Sequence, residues 1–302
     1  MIPAEETFNG TWPFKPCFSE AAGFKQHYVD VGHGEVIICL HGEPTWGYLY
    51  RNFIPALSRH YRVIVPDHMG FGKSETPQDR IYTLQTHVEN LTAFIEELDL
   101  HDITFVCQDW GGPITGAFSI RNPERVKRFA LMNTLFGYGG ANVNEELSEW
   151  FKWISRHYEA GTLDGILGEL GSTVLSVMKI VGFENSAAVD QTWIEAYSAP
   201  FPDRASCIGA IEFPLDVHLQ RFRDYMIEGL GTGNLEAVKS KPAILSYGMK
   251  DRAIRPENAI ADFKALFPGA PVNTFEDAGH FCQEDIPHIL VPLIHQFIQS
   301  TP

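Results

Sequence analysis

The stretch Phe105-Val106-Cys107-Gln108-Asp109-Trp110-Gly111-Gly112 decides the fold. An apolar, β-branched run, Ile103 to Val106, predicts a buried strand, and the two glycines predict a helix directly after it. The small-x-polar-x-small pattern from Cys107 to Gly111 is typical of the sharp strand-to-helix turn called a nucleophile elbow. Small residues are needed where the backbone reverses, and the side chain at the apex points out beyond the carboxyl end of the sheet. That apical residue is Asp109.

An apical carboxylate has a different chemistry from the serine that an esterase carries at this position. It can attack saturated carbon directly and leave an alkyl ester, so the elbow predicts alkyl transfer. Attack on an ester carbonyl would instead give a labile anhydride, which disfavours ester hydrolysis. Taken alone, the stretch has a second interpretation, in which Asp109 is a buried, hydrogen-bonded residue at the end of a strand.

Length and composition fit a globular protein with one large domain or a core with an insertion. The chain has 302 residues, of which 44% are hydrophobic and 12% aromatic. Its formal net charge of −15 argues against nucleic acid and anionic membrane surfaces as partners. The five cysteines lack metal-type spacing, and no stretch reaches the length of a transmembrane helix. With no secretory signal in the first residues, these features predict free thiols and a cytoplasmic protein.

Short apolar runs alternate with helical patterns over much of the chain. The predicted strands lie at 25–31, 36–40, 63–65, 103–106, 128–132, 243–247 and 272–275, the first of them as an edge strand or hairpin arm. The predicted helices of this part lie at 84–98, 113–121 and 286–298. The alternation predicts a mostly parallel central sheet flanked by helices on both faces.

The pattern changes between residues 136 and 213, where no strand run bounded by turn residues occurs. Helical stretches at 145–158 and 163–181 take its place. Three glycines mark the entry to this region and three prolines lie near its exit. We therefore predict a core formed by residues 1–135 and 215–302, with a helical cap inserted at 136–214.

Two later strands end in candidate catalytic residues. Asp251 follows the strand at 243–247, and His280 lies on the loop after the next strand. Open α/β sheets bind ligands at the carboxyl ends of their strands, and nucleophile, acid, histidine is a known triad order. Alone, Asp251 fits a turn residue, and eleven other histidines compete with His280. Together with the elbow, the two residues predict a triad of Asp109, His280 and Asp251.

The segment His41-Gly42-Glu43-Pro44-Thr45-Trp46 follows the first central strand. The peptide N–H groups of Glu43 and Trp110 are predicted to form an oxyanion hole, and Pro44 fixes the turn that aims the first of them. A plain loop would explain Gly42 and Pro44, but not their position opposite an elbow. The Glu43 side chain has two interpretations, an exposed carboxylate or a buried one that needs a partner.

Together these motifs resemble those of the haloalkane dehalogenases, which have the α/β-hydrolase fold with an inserted helical cap. The resemblance covers nearly the whole core and is weaker across the cap. It is closest to the subfamily whose catalytic acid follows the later strand. Another subfamily has a glutamate acid after the fourth strand and an asparagine in the HGxP motif, where this chain has Asn133 and Glu43. Both departures favour Asp251 as the acid. The motifs that carry the resemblance are HGEPTWGYLYR (41–51), VCQDWGG (106–112), GMKD (248–251) and DAGHF (277–281).

The resemblance also implies a halide site between Trp110 and a tryptophan of the cap. Indole N–H groups suit a halide because each donates one hydrogen bond from an apolar body. The candidates for the second donor are Trp150, Trp153 and Trp193. The pattern Trp150-x-x-Trp153 is similar to the start of the family's cap, so we expect Trp153 to bind halide and Trp150 to line the substrate pocket. A tryptophan that only packs is the alternative. Phe201, within APFPD at 199–203, is expected on the pocket wall.

The implied reaction is the hydrolysis of a small halogenated hydrocarbon by water, with an alcohol and halide as products. Asp109 displaces the halide and forms an alkyl-enzyme ester. His280, oriented by Asp251, then activates the water that cleaves the ester. No metal and no organic cofactor is implied.

Two other functions stay open at this point. An epoxide hydrolase shares the aspartate elbow and the triad, but it needs lid tyrosines to protonate the epoxide oxygen. Tyr138, Tyr158 and Tyr197 are available, although none lies in a recognised motif. A non-catalytic binding protein with the same fold is the alternative from another class, and a complete triad with an oxyanion hole argues against it.

Overall fold

The structure is a computed structural model that describes residues 2–139 and 146–301. At its centre lies one eight-stranded sheet. The strands are β1 Cys17–Ser19, β2 Gln26–Val31, β3 Val36–Leu40, β4 Arg62–Pro66, β5 Ile103–Gln108, β6 Val126–Met132, β7 Ala243–Gly248 and β8 Val272–Phe275. Their order across the sheet is β1-β2-β4-β3-β5-β6-β7-β8.

The sheet is parallel from β4 to β8 and antiparallel at one edge. β1 pairs with β2, and β2 with β4, in antiparallel fashion, while every later pairing is parallel. All six residues of β5 are buried, as expected of a central strand that is covered on both faces. The predicted mostly parallel sheet with flanking helices is thereby confirmed.

Helices occupy most of the connections. They are α1 Ile54–Leu57, α2 Leu84–Glu97, α3 Gly111–Arg121, α4 Glu149–Glu159, α5 Asp164–Leu167, α6 Leu170–Val181, α7 Gln191–Ser198, α8 Ile208–His218, α9 Arg223–Leu230, α10 Leu235–Lys239, α11 Pro256–Leu266, α12 Cys282–Asp285 and α13 Pro287–Ser300. No helix in the described part of the chain is long and apolar enough to cross a membrane.

The described residues between β6 and β7 contain helices but no strand. The helix predicted at 163–181 is two helices, α5 and α6, with Gly168 and Glu169 between them. The predicted cap boundary at 214 falls inside α8, because Pro214 is accommodated within that helix instead of ending it. Helices continue to Lys239 before the sheet resumes. The predicted helix start at residue 145 lies outside the described residues.

The elbow forms where the sequence predicted it. Asp109 has φ +50°, a left-handed conformation that costs free energy in a residue other than glycine. Directly after it, α3 begins at Gly111, where a Cβ atom would lie 2.4 Å from the carbonyl oxygen of Leu40. Only glycine therefore allows α3 to start so close to the end of the neighbouring strand β3.

This close approach makes Gly111 sensitive to a single added methyl group. We expect Gly111→Ala to lower the free energy of unfolding by about 1–3 kcal/mol, because the strand end must shift to relieve the clash. Urea denaturation measures the change. Gly165→Ala in α5 is the matched control, since a Cβ atom there meets nothing within 4 Å. Equal stability of the two variants would show that the contact with Leu40 is not limiting.

Candidate active site

The structure brings the three predicted triad residues together at the carboxyl ends of β5, β7 and β8. His280 Nδ1 lies 3.0 Å from Oδ2 of Asp251, and His280 Nε2 lies 3.6 Å from Oδ1 of Asp109. The His280 side chain is 1% exposed and the Asp109 side chain 15%, so Asp109 is the member that remains accessible. The His280 imidazole therefore has a carboxylate next to each ring nitrogen, which is the geometry that the predicted triad requires.

Asp251 is held by more donors than the sequence indicated. Its Oδ2 also accepts from Asn133 Nδ2 and Tyr247 Oη, each at 3.0 Å. Its Oδ1 accepts from the peptide N–H groups of Ala253 at 2.8 Å and Ile254 at 2.9 Å. With His280, five groups hydrogen-bond to the carboxylate, so both of its oxygens have partners in a buried position.

The predicted oxyanion hole is occupied by the nucleophile itself. The peptide N–H of Glu43 donates to Oδ2 of Asp109 at 2.8 Å, and the peptide N–H of Trp110 also donates to this carboxylate. A Cβ atom on Gly42 would lie 2.2 Å from the same Oδ2. The loop therefore passes so close to the carboxylate that only glycine fits at this position. Oδ2 is thereby fixed by the Glu43 N–H, while Oδ1 is the oxygen next to His280.

An apolar cavity of about 200 Å³ opens in front of Asp109. It is enclosed by the loop after β6, by α2, α3, α4, α8 and α9, and by the loop after β7. Among its described lining residues, Trp110 is the one whose side chain carries a hydrogen-bond donor. The lining residues are Leu84, Asp109, Trp110, Pro113, Leu135, Gly137, Phe151, Val217, Phe222, Met226 and Ile254.

The cap residues expected at the pocket do not line this cavity. Trp150 and Trp153 stack on each other with ring centroids 5.1 Å apart, and Trp153 continues onto His157 at 4.3 Å. The residue of α4 that does reach the cavity is Phe151. Residues 151 and 153 are separated by about 200° around a helix, so one α4 face cannot present both. Trp153 is therefore not among the described residues that line the cavity, and its binding of halide stays a prediction.

Phe201 and Trp193 also lie elsewhere. Phe201 is buried and packs edge-on against Phe71, with centroids 6.3 Å apart. The Trp193 indole donates to Oε2 of Glu284 at 3.2 Å, which ties α7 to the core. Neither residue therefore contacts the cavity beside Asp109.

None of the three candidate lid tyrosines lines the cavity. Tyr197 Oη donates to Oε1 of Glu284 at 2.5 Å. Tyr138 lies beside the Arg121 guanidinium. Tyr158 is exposed and its ring packs against His218. The proton donors that an epoxide hydrolase needs are thus missing from the described cavity wall.

Comparison with known proteins places this site in a family. A model of the alpha/beta hydrolase fold matches residues 35–287. A haloalkane dehalogenase of Psychrobacter cryohalolentis is 34% identical over 94% of this chain and 90% of its own. A cis-3-alkyl-4-alkyloxetan-2-one decarboxylase of Shewanella oneidensis is 31% identical over 96% of this chain and 90% of its own. The tetrameric haloalkane dehalogenase of Paraglaciecola agarilytica superposes with a TM-score of 0.78, is 30% identical, and covers 96% of this chain and 95% of its own.

The chain belongs to the haloalkane dehalogenase family of α/β hydrolases. The predicted fold class and family are thereby confirmed. Within this family, the position of Asp251 after β7 matches the subfamily that the sequence motifs resemble.

Burial and charge set the protonation states in this α/β hydrolase. Burial raises the pKa of Asp109, and His280 and the two peptide N–H groups oppose that rise only in part. Burial also lowers the pKa of His280, but the charges of Asp251 and Asp109 and the hydrogen bond to Asp251 outweigh it, so the net pKa is raised. The imidazole therefore keeps its proton to a higher pH than a free histidine does.

The Glu43 side chain is buried, which decides between the two interpretations that the sequence left open. It is 4% exposed, and its Oε1 has no hydrogen-bond partner among the described residues. Burial raises the pKa of Glu43 well above its ordinary range, and the nearby charge of Asp109 adds to that rise. Burial and the charge of Asp109 therefore both favour the neutral form of the Glu43 carboxyl.

Three supporting residues were not identified from the sequence. Gln108 Nε2 donates to the carbonyl oxygen of His280 at 3.1 Å and so fixes the histidine loop. Asn133 joins β6 to β7 by bonding both the N–H and the carbonyl oxygen of Gly248, in addition to Asp251. Phe213 stacks on Trp110 with centroids 4.3 Å apart. The polar residues at the ends of β5 and β6 were the available signals, but Phe213 had none.

The raised pKa of His280 can be measured directly. We expect the His280 imidazole to titrate above the ordinary value of about 6.5 in the wild type and at a lower pH in Asp251→Asn, because burial dominates once the partner charge is gone. NMR titration of labelled histidines, with His280→Gln to identify the signal, checks this. Asp277→Asn removes an exposed carboxylate three residues away and should leave the His280 pKa unchanged. An equal pKa in all three proteins would contradict the account.

Proposed function

We propose that this enzyme hydrolyses carbon–halogen bonds in small halogenated hydrocarbons, and that water is the second substrate. The observation that carries the proposal is the state of Asp109. Its Oδ2 accepts from the peptide N–H of Glu43, its Oδ1 lies 3.6 Å from His280 Nε2, and the residue lines an apolar cavity. The relatives named haloalkane dehalogenase support the same reaction.

In the first step Oδ1 of Asp109 attacks the carbon that bears the halogen. The new C–O bond forms as the carbon–halogen bond breaks, and the halide leaves with the bonding electrons. Trp110 Nε1 faces this developing charge from the cavity wall and can donate a hydrogen bond to it. The apolar lining excludes water from the reacting atoms, which strengthens both interactions.

In the second step water attacks the carbonyl carbon of the alkyl ester on Asp109. His280 Nε2 takes the proton from this water, and Asp251 stabilises the imidazolium that forms. The negative charge of the tetrahedral intermediate develops on Oδ2, which the Glu43 N–H already binds, with the Trp110 N–H as the second proposed donor. The bond between the carbonyl carbon and Oδ1 then breaks, and His280 returns its proton to the departing oxygen, so the alcohol leaves. Loss of one proton to solvent restores the Asp109 carboxylate, which now carries one oxygen from water.

This scheme predicts that an enzyme without its base stops after the first step. We expect His280→Gln to gain the mass of one alkyl group when it is incubated with 1-bromobutane, and to lose multiple-turnover activity by at least about 100-fold. Intact-protein mass spectrometry measures the adduct, and peptide mapping should locate it on Asp109. The double variant with Asp109→Asn is the matched control and should gain no mass. A His280→Gln protein that stays unmodified while the wild type releases bromide would contradict the scheme.

A second candidate function is the decarboxylation of an oxetan-2-one, which is suggested by the decarboxylase relative. Asp109 would attack the saturated ring carbon that bears oxygen, and the ring C–O bond would break to release a carboxylate. Loss of CO2 would then form a carbon–carbon double bond and expel the Asp109 carboxylate. The apolar cavity favours this step, because a carboxylate loses CO2 more readily when it is poorly solvated.

Product analysis separates these candidates. A bromoalkane yields an alcohol and bromide by hydrolysis, whereas a cis-3-alkyl-4-alkyloxetan-2-one yields an alkene and CO2 by decarboxylation. An epoxide probe that yields a diol would revive epoxide hydrolysis. Ligand binding without any turnover would revive the non-catalytic alternative.

We also propose that the protein is cytoplasmic. All five cysteines are free thiols, and four of them are buried. A strongly acidic surface supports solubility in that compartment, and the proposed small-molecule substrates need no nucleic acid or membrane partner.

A further inference from the structure

We propose that the end of helix α6 positions the loops of Asp251 and His280 for the second chemical step. Residues 179–185, which we call the α6 brace, contact both loops. Arg252 connects the brace to the loop of Asp251, and Asp285 connects it to the loop of His280. This inference rests on the proposed dehalogenase function and adds two positioning residues to it.

Arg252 directly follows Asp251 and binds the last carbonyl groups of α6. Its peptide N–H donates to the oxygen of Val181 at 3.0 Å. Its guanidinium donates to the oxygens of Ile180 at 3.2 Å and Lys179 at 2.7 Å. Carbonyl groups in the last turn of a helix lack partners within the helix, and the helix dipole favours a cation at that end. Arg252 therefore satisfies three successive acceptors and anchors the loop of Asp251 to the cap.

The loop of His280 contacts the same end of α6 through backbone atoms. The peptide N–H of Phe281 donates to the oxygen of Gly182 at 3.3 Å. Gly182 has φ +133°, and a Cβ atom on it would lie 2.9 Å from the His280 nitrogen and 3.1 Å from the Lys250 oxygen. A Cβ atom on Gly279 would lie 2.2 Å from the Gly182 oxygen. The brace therefore packs against both loops at distances that require glycine.

Asp285 joins the next residues of the brace to the loop of His280. Its Oδ1 accepts from the peptide N–H groups of Glu184 at 3.0 Å and Asn185 at 2.8 Å. Its Oδ2 accepts from the peptide N–H of Gly279 at 2.8 Å. The Glu184 carboxylate in turn lies 2.9 Å from Arg252 Nη1. A closed chain of contacts thus runs from one loop through the cap to the other.

The two chemical steps depend on this chain of contacts to different degrees. Attack by Asp109 on carbon needs no proton transfer, and its carboxylate is held by the separate Glu43 loop. The second step needs the bond between His280 Nδ1 and Asp251, which joins the two braced loops. A misplacement of about 1 Å in such a group can cost about 100-fold in rate. A loosened brace should therefore slow cleavage of the ester and spare its formation.

Arg252→Met tests the brace, because methionine is an unbranched side chain without an N–H donor. In a single turnover with enzyme in excess over 1-bromobutane, we expect bromide release within about twofold of the wild-type rate. The delay between bromide and butanol gives the rate of ester hydrolysis, which should fall by about tenfold or more. Rapid quenching with quantification of both products measures the two steps.

Asp285→Asn approaches the brace from its other side and keeps the test available if Arg252→Met fails to fold. The amide NH2 of asparagine cannot accept a hydrogen bond, so the variant loses one side of the Asp285 contact. We expect the same separation of the two rates as in Arg252→Met.

Glu184→Gln is the matched control. It removes the half-exposed ion pair with Arg252 but leaves the contacts with the carbonyl groups of α6, so ester hydrolysis should fall by at most about twofold. A second measurement does not depend on turnover. Exchange of the proton between His280 Nδ1 and Asp251, followed by NMR, should be at least about tenfold faster in Arg252→Met than in the wild type, and unchanged in Glu184→Gln.

Wild-type rates of ester hydrolysis and proton exchange in Arg252→Met and Asp285→Asn would overturn the proposal. Equal slowing of bromide release and ester hydrolysis would also overturn it, because that result indicates a general loss of structure. A wild-type enzyme that releases no bromide would instead overturn the proposed dehalogenase function, while the proton exchange would still test the brace.

Discussion

The site depends on the hydrogen bond between the Glu43 peptide N–H and Oδ2 of Asp109. This 2.8 Å contact joins the loop after β3 to the elbow after β5, and it requires Asp109 to keep a left-handed backbone conformation. The surrounding structure tolerates this backbone conformation because the two loops meet at glycines, Gly42 and Gly111. With one carboxylate oxygen fixed in this way, the other lies next to His280. Every proposed chemical step uses that division between the two oxygens.

The negative charge of the site is limited by burial and stabilised by hydrogen-bond donors. Two carboxyl groups, Asp109 and Asp251, lie next to His280, and the Glu43 carboxyl interacts with Asp109. Burial raises the pKa of both Asp109 and Glu43. The raised pKa of Glu43 favours its neutral form, which limits the negative charge beside Asp109. Asp251 is the carboxylate with five donors, and its charge keeps the buried His280 basic. The unpartnered Oε1 of Glu43 is the one polar atom of this group without a structural explanation.

The core was predictable from the sequence because its signals are local. A strand, a sharp turn and a polar residue at the strand end are encoded in a few consecutive residues, and chain order then fixes which ends meet. The cap was not predictable to the same degree. The pair Trp150 and Trp153 indicates an aromatic helix, but it does not show which face of α4 turns inward. That face depends on contacts with α8, such as Ser155 with His218, and the α4 residue that lines the cavity is Phe151. Pro214 marked a boundary in the sequence, yet α8 continues through it.

The central claim is that Asp109, and not water, attacks the substrate carbon. A single turnover of the wild-type enzyme in H2¹⁸O, with enzyme in excess over 1-bromobutane, tests this most directly. The account predicts that the first butanol released contains ¹⁶O from the Asp109 carboxylate, and that the peptide bearing Asp109 gains ¹⁸O. Butanol labelled with ¹⁸O in that first turnover, with Asp109 unlabelled, would contradict it.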